Sequence, residues 1–425
     1  MKKSLTQLRP GVGFVSSGLV PLMAHADFIK DSSGTLDLKN YYFNRDYREE
    51  ATQSMRAEWA QGFILGIKSG FTEGTLGFGL DLTGMLGLKL DSSPGLSGTG
   101  LLQRDSDKRA SDEYSKLGVT AKARFAQSEL RVGYLVPDLP TLQPNTSRLF
   151  PQSFSGTQLV SNDISNLKIT LGQLDQAKDR DSTNYEDMKL TTVSKVYKST
   201  ALSDQFRFAG GDYSLTPNTL LSYHYAALDS IYHQQFAGVK NNFGLGPGTL
   251  KTDIRFFKAD KDGAGLAGDV DNRALSTRLT YQYKGHSIGG GFQQQYGSTP
   301  FTYLDGSISY LFTEYQFSNF TQTKERAWHA RYDYNFADLP LPGLLFTAKY
   351  AKGDSAEVIG FNGDGREWER HLDIGYVVQN GPFTAVSIPR RTAIRKRNSS
   401  NDATENRLLL GHTLDLSARR RVVAC

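Results

Sequence analysis

Residues 116–134 alternate apolar and polar side chains with a period of two, in two segments joined by a short turn. In the first segment Leu117 and Val119 fall on one face, and Lys122 and Arg124 fall on the other. Side chains alternate across a strand, so the pattern predicts a two-sided β-hairpin. A soluble sandwich would bury the apolar face and solvate a mixed polar one. Because this polar face carries bulky cations, the pattern favours an inside-out barrel, with lipid outside and a wet, basic lumen.

Composition supports a membrane barrel and excludes a helical membrane protein. Aromatic residues make up 11% of the 425-residue chain and there are 42 glycines, although the mean hydropathy is only −0.43. No run of 18 apolar residues exists, so no transmembrane helix is expected. Soluble propellers and sandwiches share part of this composition. Since no linker separates regions of different composition, we expect one domain.

The N-terminus has the features of a secretory signal peptide. Basic residues precede a mostly small and apolar stretch at 11–24, and an Ala-His-Ala cleavage box follows at 24–26. We therefore predict a signal peptide at 1–26 and a barrel domain at 27–425. The single cysteine, Cys425, rules out a disulfide framework or a cysteine-based metal site within one chain, and we expect no metal and no cofactor.

The alternation recurs along the chain with two kinds of connection. In residues 76–90 one face is almost entirely leucine, and about 17 strand segments can be recognised, which an even-numbered barrel rounds to 18. Tight turns near 127, 217, 284, 341 and 380 alternate with long polar connections near 91–114, 176–200, 258–272, 296–325 and 351–366. Short turns on one side and long loops on the other are typical of outer-membrane barrels. A propeller or solenoid would repeat at a fixed period, and none is found.

Residues 137–161 interrupt the alternation. Prolines stand at 137, 140, 144 and 151, and proline does not sit inside a sheet, so this stretch is predicted to be a long ordered loop. Its Leu149, Phe150 and Phe154 make it too apolar for a freely solvated excursion. We expect the loop to fold back into the barrel and to pack there.

Several sequence segments resemble the OprD-type family of substrate-specific porins from pseudomonads, across almost the whole mature chain. They include LDLKNYYFNRD (36–46), EWAQGF (58–63), TLGFGLDLTGMLGLKLD (75–91), ARYDYNFADLPLPGL (330–344) and GREWERHLDIGYVVQNGP (365–382). The resemblance implies an 18-stranded antiparallel transmembrane β-barrel with a pore narrowed by inward loops. It also implies a row of arginines and lysines that guides carboxylate-bearing solutes.

Carried over to this chain, the basic row consists of cations that alternation places inside: Lys122, Arg124, Arg131, Lys168, Arg207, Arg255, Arg278, Arg331, Lys349 and Arg391. Rings of positive side chains select anions, and the planar guanidinium suits a carboxylate. The proline-bearing loop is the expected constriction, with Arg148, Ser153 and Phe154 as solute contacts. Two alternatives stay open: a loop packed outside the lumen, and cations that merely pair with Asp81, Glu129, Asp253 or Asp333.

The functional expectation is selective passive uptake of small carboxylates across the bacterial outer membrane. The segment 221–238, which includes His224, resembles family members that prefer aromatic acids such as benzoate-like compounds. A basic amino acid or peptide channel of the same family is the alternative. A barrel hydrolase is disfavoured, since the chain has no H-E-x-x-H motif and no marked carboxylate pair. Expected partners are outer-membrane lipid and lipopolysaccharide, the barrel-insertion machinery and small anionic solutes, with a homotrimer left open and no nucleic acid.

The C-terminal segment departs from the family pattern. ENRLLLGHTLDL (405–416) keeps the frame, but Asp415 stands where the family has an apolar residue and Ser417 where it has an aromatic one. SARRRVVAC (417–425) then runs on. Charge on the lipid face of a barrel strand costs about 2–4 kcal/mol at the midplane. The sequence therefore leaves open how this barrel closes.

Overall fold

The computed structural model describes residues 28–48 and 53–417, which form one barrel of 18 antiparallel strands. The strands are β1 (Ser33–Asp46), β2 (Met55–Lys68), β3 (Leu76–Asp91), β4 (Glu113–Phe125), β5 (Ser128–Leu135), β6 (Ser153–Ile164), β7 (Leu167–Lys178), β8 (Phe206–Thr216), β9 (Thr219–Leu228), β10 (Tyr232–Leu245), β11 (Gly248–Lys261), β12 (Asp271–Tyr283), β13 (His286–Gly297), β14 (Arg326–Asn335), β15 (Leu344–Ala356), β16 (Gly365–Val377), β17 (Ser387–Arg397) and β18 (Ala403–Asp415). A 3-10 turn at Phe336–Asp338 follows β14. The predicted signal peptide at 1–26 and the tail from 418 onward lie outside the described residues.

The sheet is closed, which confirms the predicted fold class. Each strand pairs with its neighbours in sequence, and β1 pairs with β18 as well as with β2. Closure removes the exposed sheet edges that would otherwise invite pairing with other chains. Among the described residues, no helix is long and apolar enough to cross a membrane.

Alternation sorts the side chains into an apolar exterior and a polar interior. On β4, Lys116 and Lys122 lie buried on the inner side, whereas Leu117, which is 69% exposed, and Val119 lie on the outer side. The leucines of β3 are exposed on the outer side in the same way. A transmembrane barrel turns its apolar side chains to lipid, so this outer band is the surface that meets the bilayer.

The two ends of the barrel differ, as the connection lengths predict. Long loops join β3 to β4, β5 to β6, β7 to β8 and β13 to β14 at one end, here called the loop end. Two-residue connections join β4 to β5, β6 to β7, β8 to β9 and β12 to β13 at the other, here called the turn end. Consecutive antiparallel strands alternate between the two ends, so the long loops all gather on one side.

The prediction of a loop throughout 137–161 was wrong in its second half. Strand β6 begins at Ser153, two residues after Pro151, and pairs with both β5 and β7. Past the last proline the backbone N–H groups can again join a sheet. Small and polar residues, together with a bulge near Gly156, hide the alternation of this strand. Strands β10 and β13, rich in Gln, Asn and Gly, escaped the sequence pattern for a similar reason.

Gly133 changes the face on which the chain presents its side chains near the end of β5. Its φ of +115° lies in a region that L side chains rarely adopt, and a Cβ there would stand 2.3 Å from the Val119 carbonyl oxygen. As a result Tyr134 packs against Gly118 on the inner side. Strict alternation through residues 116–134 predicts Tyr134 on the outer face with Leu130, and this prediction was wrong for Tyr134.

The C-terminal strand closes the barrel despite its departures from the family pattern. Its pairing with β1 extends as far as Asp415, which lies opposite Thr35. Asp415 shares the inner face of β18 with the buried Arg407, so its carboxylate lies on the lumen side and not on the lipid side. Arg390 of β17, by contrast, faces outward beside the exposed Leu408.

Candidate functional site

Three loops fold into the lumen at the loop end and narrow it. They are the β5–β6 loop (136–152), the β7–β8 loop (179–205) and the β13–β14 loop (298–325). Strand β5 has only 8 residues against 16 in β3, so its loop leaves the wall well below the rim. The loops also bond to one another: the Ile308 N–H donates to the Gln143 carbonyl at 2.9 Å, and Leu190 bridges to Leu304. The expected narrowing by inward loops is confirmed.

The inside of the barrel near the loop end is apolar where these loops pack. Leu139 and Leu142 of the β5–β6 loop and Leu304 of the β13–β14 loop join one buried cluster with wall residues that include Phe154 and Phe206. Burial of apolar side chains supplies most of the energy that holds such loops in place. Water can therefore fill the lumen only beside these packed loops and on their turn side.

The tip of the β5–β6 loop rests on the wall of the barrel at two glycines. A Cβ on Gly62 would lie 2.8 Å from the Leu149 side chain, and one on Gly87 would lie 3.1 Å from it. Lys39 Nζ donates to the Leu149 carbonyl at 3.3 Å, and Arg148 Nε donates to the Thr99 carbonyl at 2.7 Å. Glycine at both wall positions makes room for the loop to approach the sheet closely.

These contacts correct the expectation for Arg148, Ser153 and Phe154. All three are buried: Arg148 holds the loop to its neighbours, and Ser153 and Phe154 belong to β6 and not to the loop. Ser153 and Phe154 have no exposed surface, and the Arg148 guanidinium donates to the Thr99 and Ser147 carbonyls, so none of the three is free to contact a passing solute. We therefore assign the three residues to the support of the constriction and not to its surface.

The β13–β14 loop is held by a carboxylate of β16. Glu369, fully buried, accepts hydrogen bonds from the backbone N–H groups of Gln316, Phe317 and Ser318 at 3.0, 3.1 and 2.8 Å. Glu367, two residues away on the same face, accepts from the Ser318 hydroxyl at 2.6 Å. The sequence reading passed over both glutamates. Their alternation with Trp368 was a signal that could have placed them inside.

Four cations of the expected basic row are neutralised by carboxylates of the wall. The pairs are Lys122–Asp81 at 2.6 Å, Arg131–Glu129 at 2.5 Å, Arg255–Asp253 at 2.9 Å and Arg331–Asp333 at 2.7 Å. Lys349 stands at 4.0 Å from Asp373. The four carboxylates in the closer pairs are the ones that the sequence suggested as partners. These cations shape the lumen but present little free charge.

Four other cations on the inner face carry no salt bridge within the described residues: Arg124, Lys168, Arg278 and Arg391. Arg278 lies over the ring of Phe312, 4.3 Å from its centroid, and Arg124 lies 4.4 Å from the ring centroid of Phe71. An aromatic face supports a guanidinium without neutralising its charge. These four side chains are the ones most available to an anionic solute.

Arg207 does not belong to the row. Its neighbours Phe206 and Phe208 are buried in the loop cluster, so Arg207 is exposed on the outer face of β8, where it donates to Gln173 Oε1 at 3.4 Å. The prediction assumed apolar side chains outside and polar side chains inside along the whole strand. It was wrong because the infolded loops make the interior apolar at this height.

A cluster of cations on β1 and β18 was missed by sequence reasoning, which had named only Arg148 of the β5–β6 loop beside it. The guanidinium carbons of Arg45, Arg148 and Arg407 lie 5.4, 4.6 and 5.1 Å from the centre of the Phe43 ring. The fully buried Glu405 pairs with both Arg45 and Arg407. Phe43 points inward among charges, contrary to the usual alternation, and no local pattern marks that exception.

One stretch of the sequence matches a hydrolase motif, but its backbone does not form the turn that this motif requires. Residues 285–289 read G-H-S-I-G, which fits G-x-S-x-G. The structure places them on the two-residue turn before β13 and at the start of that strand. A nucleophile elbow requires a strand-to-helix turn. Among the described residues, no cluster of His, Cys, Asp and Glu could hold a metal ion.

A closed barrel with an apolar outer band, a charged lumen and loops that narrow it defines a porin-type channel. The family model for the outer membrane porins of the OprD family matches residues 26–416. The porin-like protein GalP of Pseudomonas putida is 34% identical over 95% of this chain and 97% of its own length. The chain belongs to the OprD family of outer-membrane porins, as the resemblance indicated.

Solved structures agree with this assignment. Pseudomonas aeruginosa OccK9 (OpdG) is 40% identical, covers 92% of this chain and 100% of its own, and superimposes with a TM-score of 0.89. Pseudomonas aeruginosa OpdK, solved with vanillate, is 34% identical over 92% of this chain and 100% of its own, with a TM-score of 0.86. The family and the fold indicate a channel that is located in the outer membrane.

Proposed function

We propose that this porin conducts small carboxylate-bearing solutes passively and selectively, and that aromatic acids are among them. The observation that carries the proposal is the set of inward cations without a salt bridge, above all Arg278 and Arg391. A carboxylate exchanges part of its hydration shell for contacts with such groups, and cations in a pore lower the energy of anions and raise that of cations.

An aromatic solute is supported by rings that lie beside cations of the inner face. Phe312 lies against Arg278, and Tyr315 lies 5.9 Å from the Lys349 amine. The related OpdK was solved with vanillate, an aromatic carboxylate. Aromatic side chains offer a face to a ring, while the neighbouring cation takes the charged end.

Replacing Arg278 or Arg391 by glutamine should reduce anion selectivity and weaken block of the channel by benzoate. A hydrogen bond to a charged group contributes roughly 1.5–3 kcal/mol, so each change should lower benzoate affinity about tenfold or more. The measurement is the reversal potential in a KCl gradient across a planar bilayer, together with the benzoate concentration that halves the single-channel current.

The matched control is Arg207→Gln, which removes the same charge from the outer face and should leave both quantities unchanged. A wild-type channel that prefers cations, or that lysine blocks more tightly than benzoate does, would instead support the channel for basic amino acids or peptides.

A further inference from the structure

A cavity of about 410 Å³ lies on the inner wall at β4 to β7, away from the cluster of cations on β1 and β18. Its lining runs from Gln127, in the turn between β4 and β5, to Leu139, near the start of the β5–β6 loop. Asn162 and Lys168, on either side of the next turn, also line it. The cavity therefore lies on the turn side of the constriction, where a solute arrives after passing the loops.

The cavity contains more cations than its carboxylates neutralise. Arg124 and Lys168 carry no salt bridge within the described residues, whereas Arg131 is held by Glu129 at 2.5 Å. Asp138 is the other carboxylate of the lining, and it accepts a hydrogen bond from Gln143 Nε2 at 2.6 Å. Both carboxylates already have a partner within the protein, whereas two of the three cations have no carboxylate partner in the part of the chain that the structure describes.

Two nearly buried polar side chains face the cavity without a partner. Gln158 exposes 8% of its surface and Thr170 exposes 3%, and neither side chain forms a hydrogen bond within the described part of the chain. Because their polar atoms are not bonded within the described residues, they are free to bond to water or to a ligand in the cavity. An amide and a hydroxyl beside two free cations provide hydrogen bonds for a carboxylate.

Four residues of the lining are apolar and lie among its polar groups. Val136, Pro137 and Leu139 come from the β5–β6 loop, and Val160 comes from β6. Apolar side chains in a binding site contact the body of a ligand, while placed polar groups orient it. A ligand that fits this lining has a carboxylate at one end and an apolar body.

We infer that this cavity is a second binding site, on the exit side of the constriction, for monocarboxylates with an apolar body. The inference rests on the proposed function and adds a stage to it. A solute released from the constriction is held by Arg124 and Lys168, with Gln158 and Thr170 completing its hydrogen bonds, before it leaves at the turn end. Two binding sites in series, each weak enough to release the solute, allow the solute to pass through the channel without being trapped.

The test is the sidedness of block by benzoate in channels inserted with one orientation. We expect the double variant Arg124→Gln/Lys168→Gln to raise, about tenfold or more, the benzoate concentration needed to block from the turn side. Block from the loop side should remain within about twofold of wild type. Arg278→Gln should show the opposite pattern, because its cation lies at the constriction.

Two further variants keep the outcome decisive if the double variant folds poorly. Lys168→Arg retains the charge and should retain block from the turn side, and Gln158→Leu should weaken block from that side alone. Unchanged block from the turn side in the double variant and in Gln158→Leu would overturn the second site while leaving the selective channel intact. Absence of benzoate block from either side of the wild-type channel would overturn the proposed function and this inference together.

Discussion

Glu369→Ala should release part of the β13–β14 loop from the lumen wall and raise the single-channel conductance. The substitution leaves the N–H groups of Gln316, Phe317 and Ser318 without their acceptor. A buried donor left unpaired costs about 1–3 kcal/mol. The bond from Ser318 is buried and those from Gln316 and Phe317 are part-buried, so the loop loses on the order of 3 kcal/mol of anchoring.

The measurement is the conductance distribution in planar bilayers, with hydrogen exchange of the amides at 316–318 as a structural readout. Exchange at these amides should accelerate together with the rise in conductance. The matched control is Glu357→Ala, which breaks an exposed ion pair with Lys324 at the same end of the barrel. Exposed pairs contribute about 0–1 kcal/mol, so this control should conduct like wild type. Wild-type conductance and exchange in Glu369→Ala would show that other contacts hold the loop.

The second large effect is a pH dependence that originates in the β13–β14 loop. Glu314 is half-buried there and accepts hydrogen bonds from the Ser309 N–H and hydroxyl, and desolvation raises the pKa of its carboxyl to about 7 from an ordinary 4.5. Glu325, at the end of the same loop, has its pKa raised well above the usual value by burial and by repulsion from Glu367. Both shifts act in the same direction.

The direction of the pH effect depends on whether the packed or the released loop keeps Glu314 protonated. Between pH 4.5 and about 7 the packed loop keeps Glu314 protonated, whereas a released loop would ionise it. The packed state is therefore favoured at low pH and loses this advantage as the pH rises through 7. At about 1.4 kcal/mol per pH unit, the loss for Glu314 is on the order of 3 kcal/mol. Conductance and current noise should rise between pH 5 and pH 8.

Glu314→Gln isolates the contribution of this carboxyl. The amide keeps an acceptor for Ser309 but cannot ionise, so the conductance should vary less with pH and should remain near the low-pH value. Glu357→Gln, an exposed carboxyl of the same end, should retain the wild-type pH profile. An unchanged profile in Glu314→Gln, or a conductance that falls from pH 5 to pH 8, would contradict this prediction.

Much of the barrel was predictable because alternation is a local property. Residues 76–90 and 116–125 show their faces without reference to the rest of the chain, since a strand presents successive side chains to opposite sides. Strand number, loop asymmetry and the carboxylate partners of four wall cations could all be read in this way. Strands β10 and β13 were missed because runs of Gln, Asn and Gly interrupt the alternation along them.

The basic row was only partly predictable, because its function depends on what surrounds each cation. Sequence placed Arg278 and Arg331 on the inner face alike, yet Arg331 is neutralised by Asp333 and Arg278 is not. Arg207 was assigned to the wrong face because the interior at its height is filled by loops. The position of a residue in the alternation predicts the face of the strand on which it lies. Only the packed structure shows whether that face contacts water.

By itself the sequence determined a membrane barrel of about this size with a charged interior, because the two-residue period and the turn spacing act over short stretches. The tertiary structure alone decided where the loops rest: Leu149 on Gly62 and Gly87, and the 316–318 segment on Glu369. It also decided that Gly133 turns Tyr134 inward. The loop contacts join residues about 50 or more positions apart in the chain, and such pairs leave no periodic trace in a sequence.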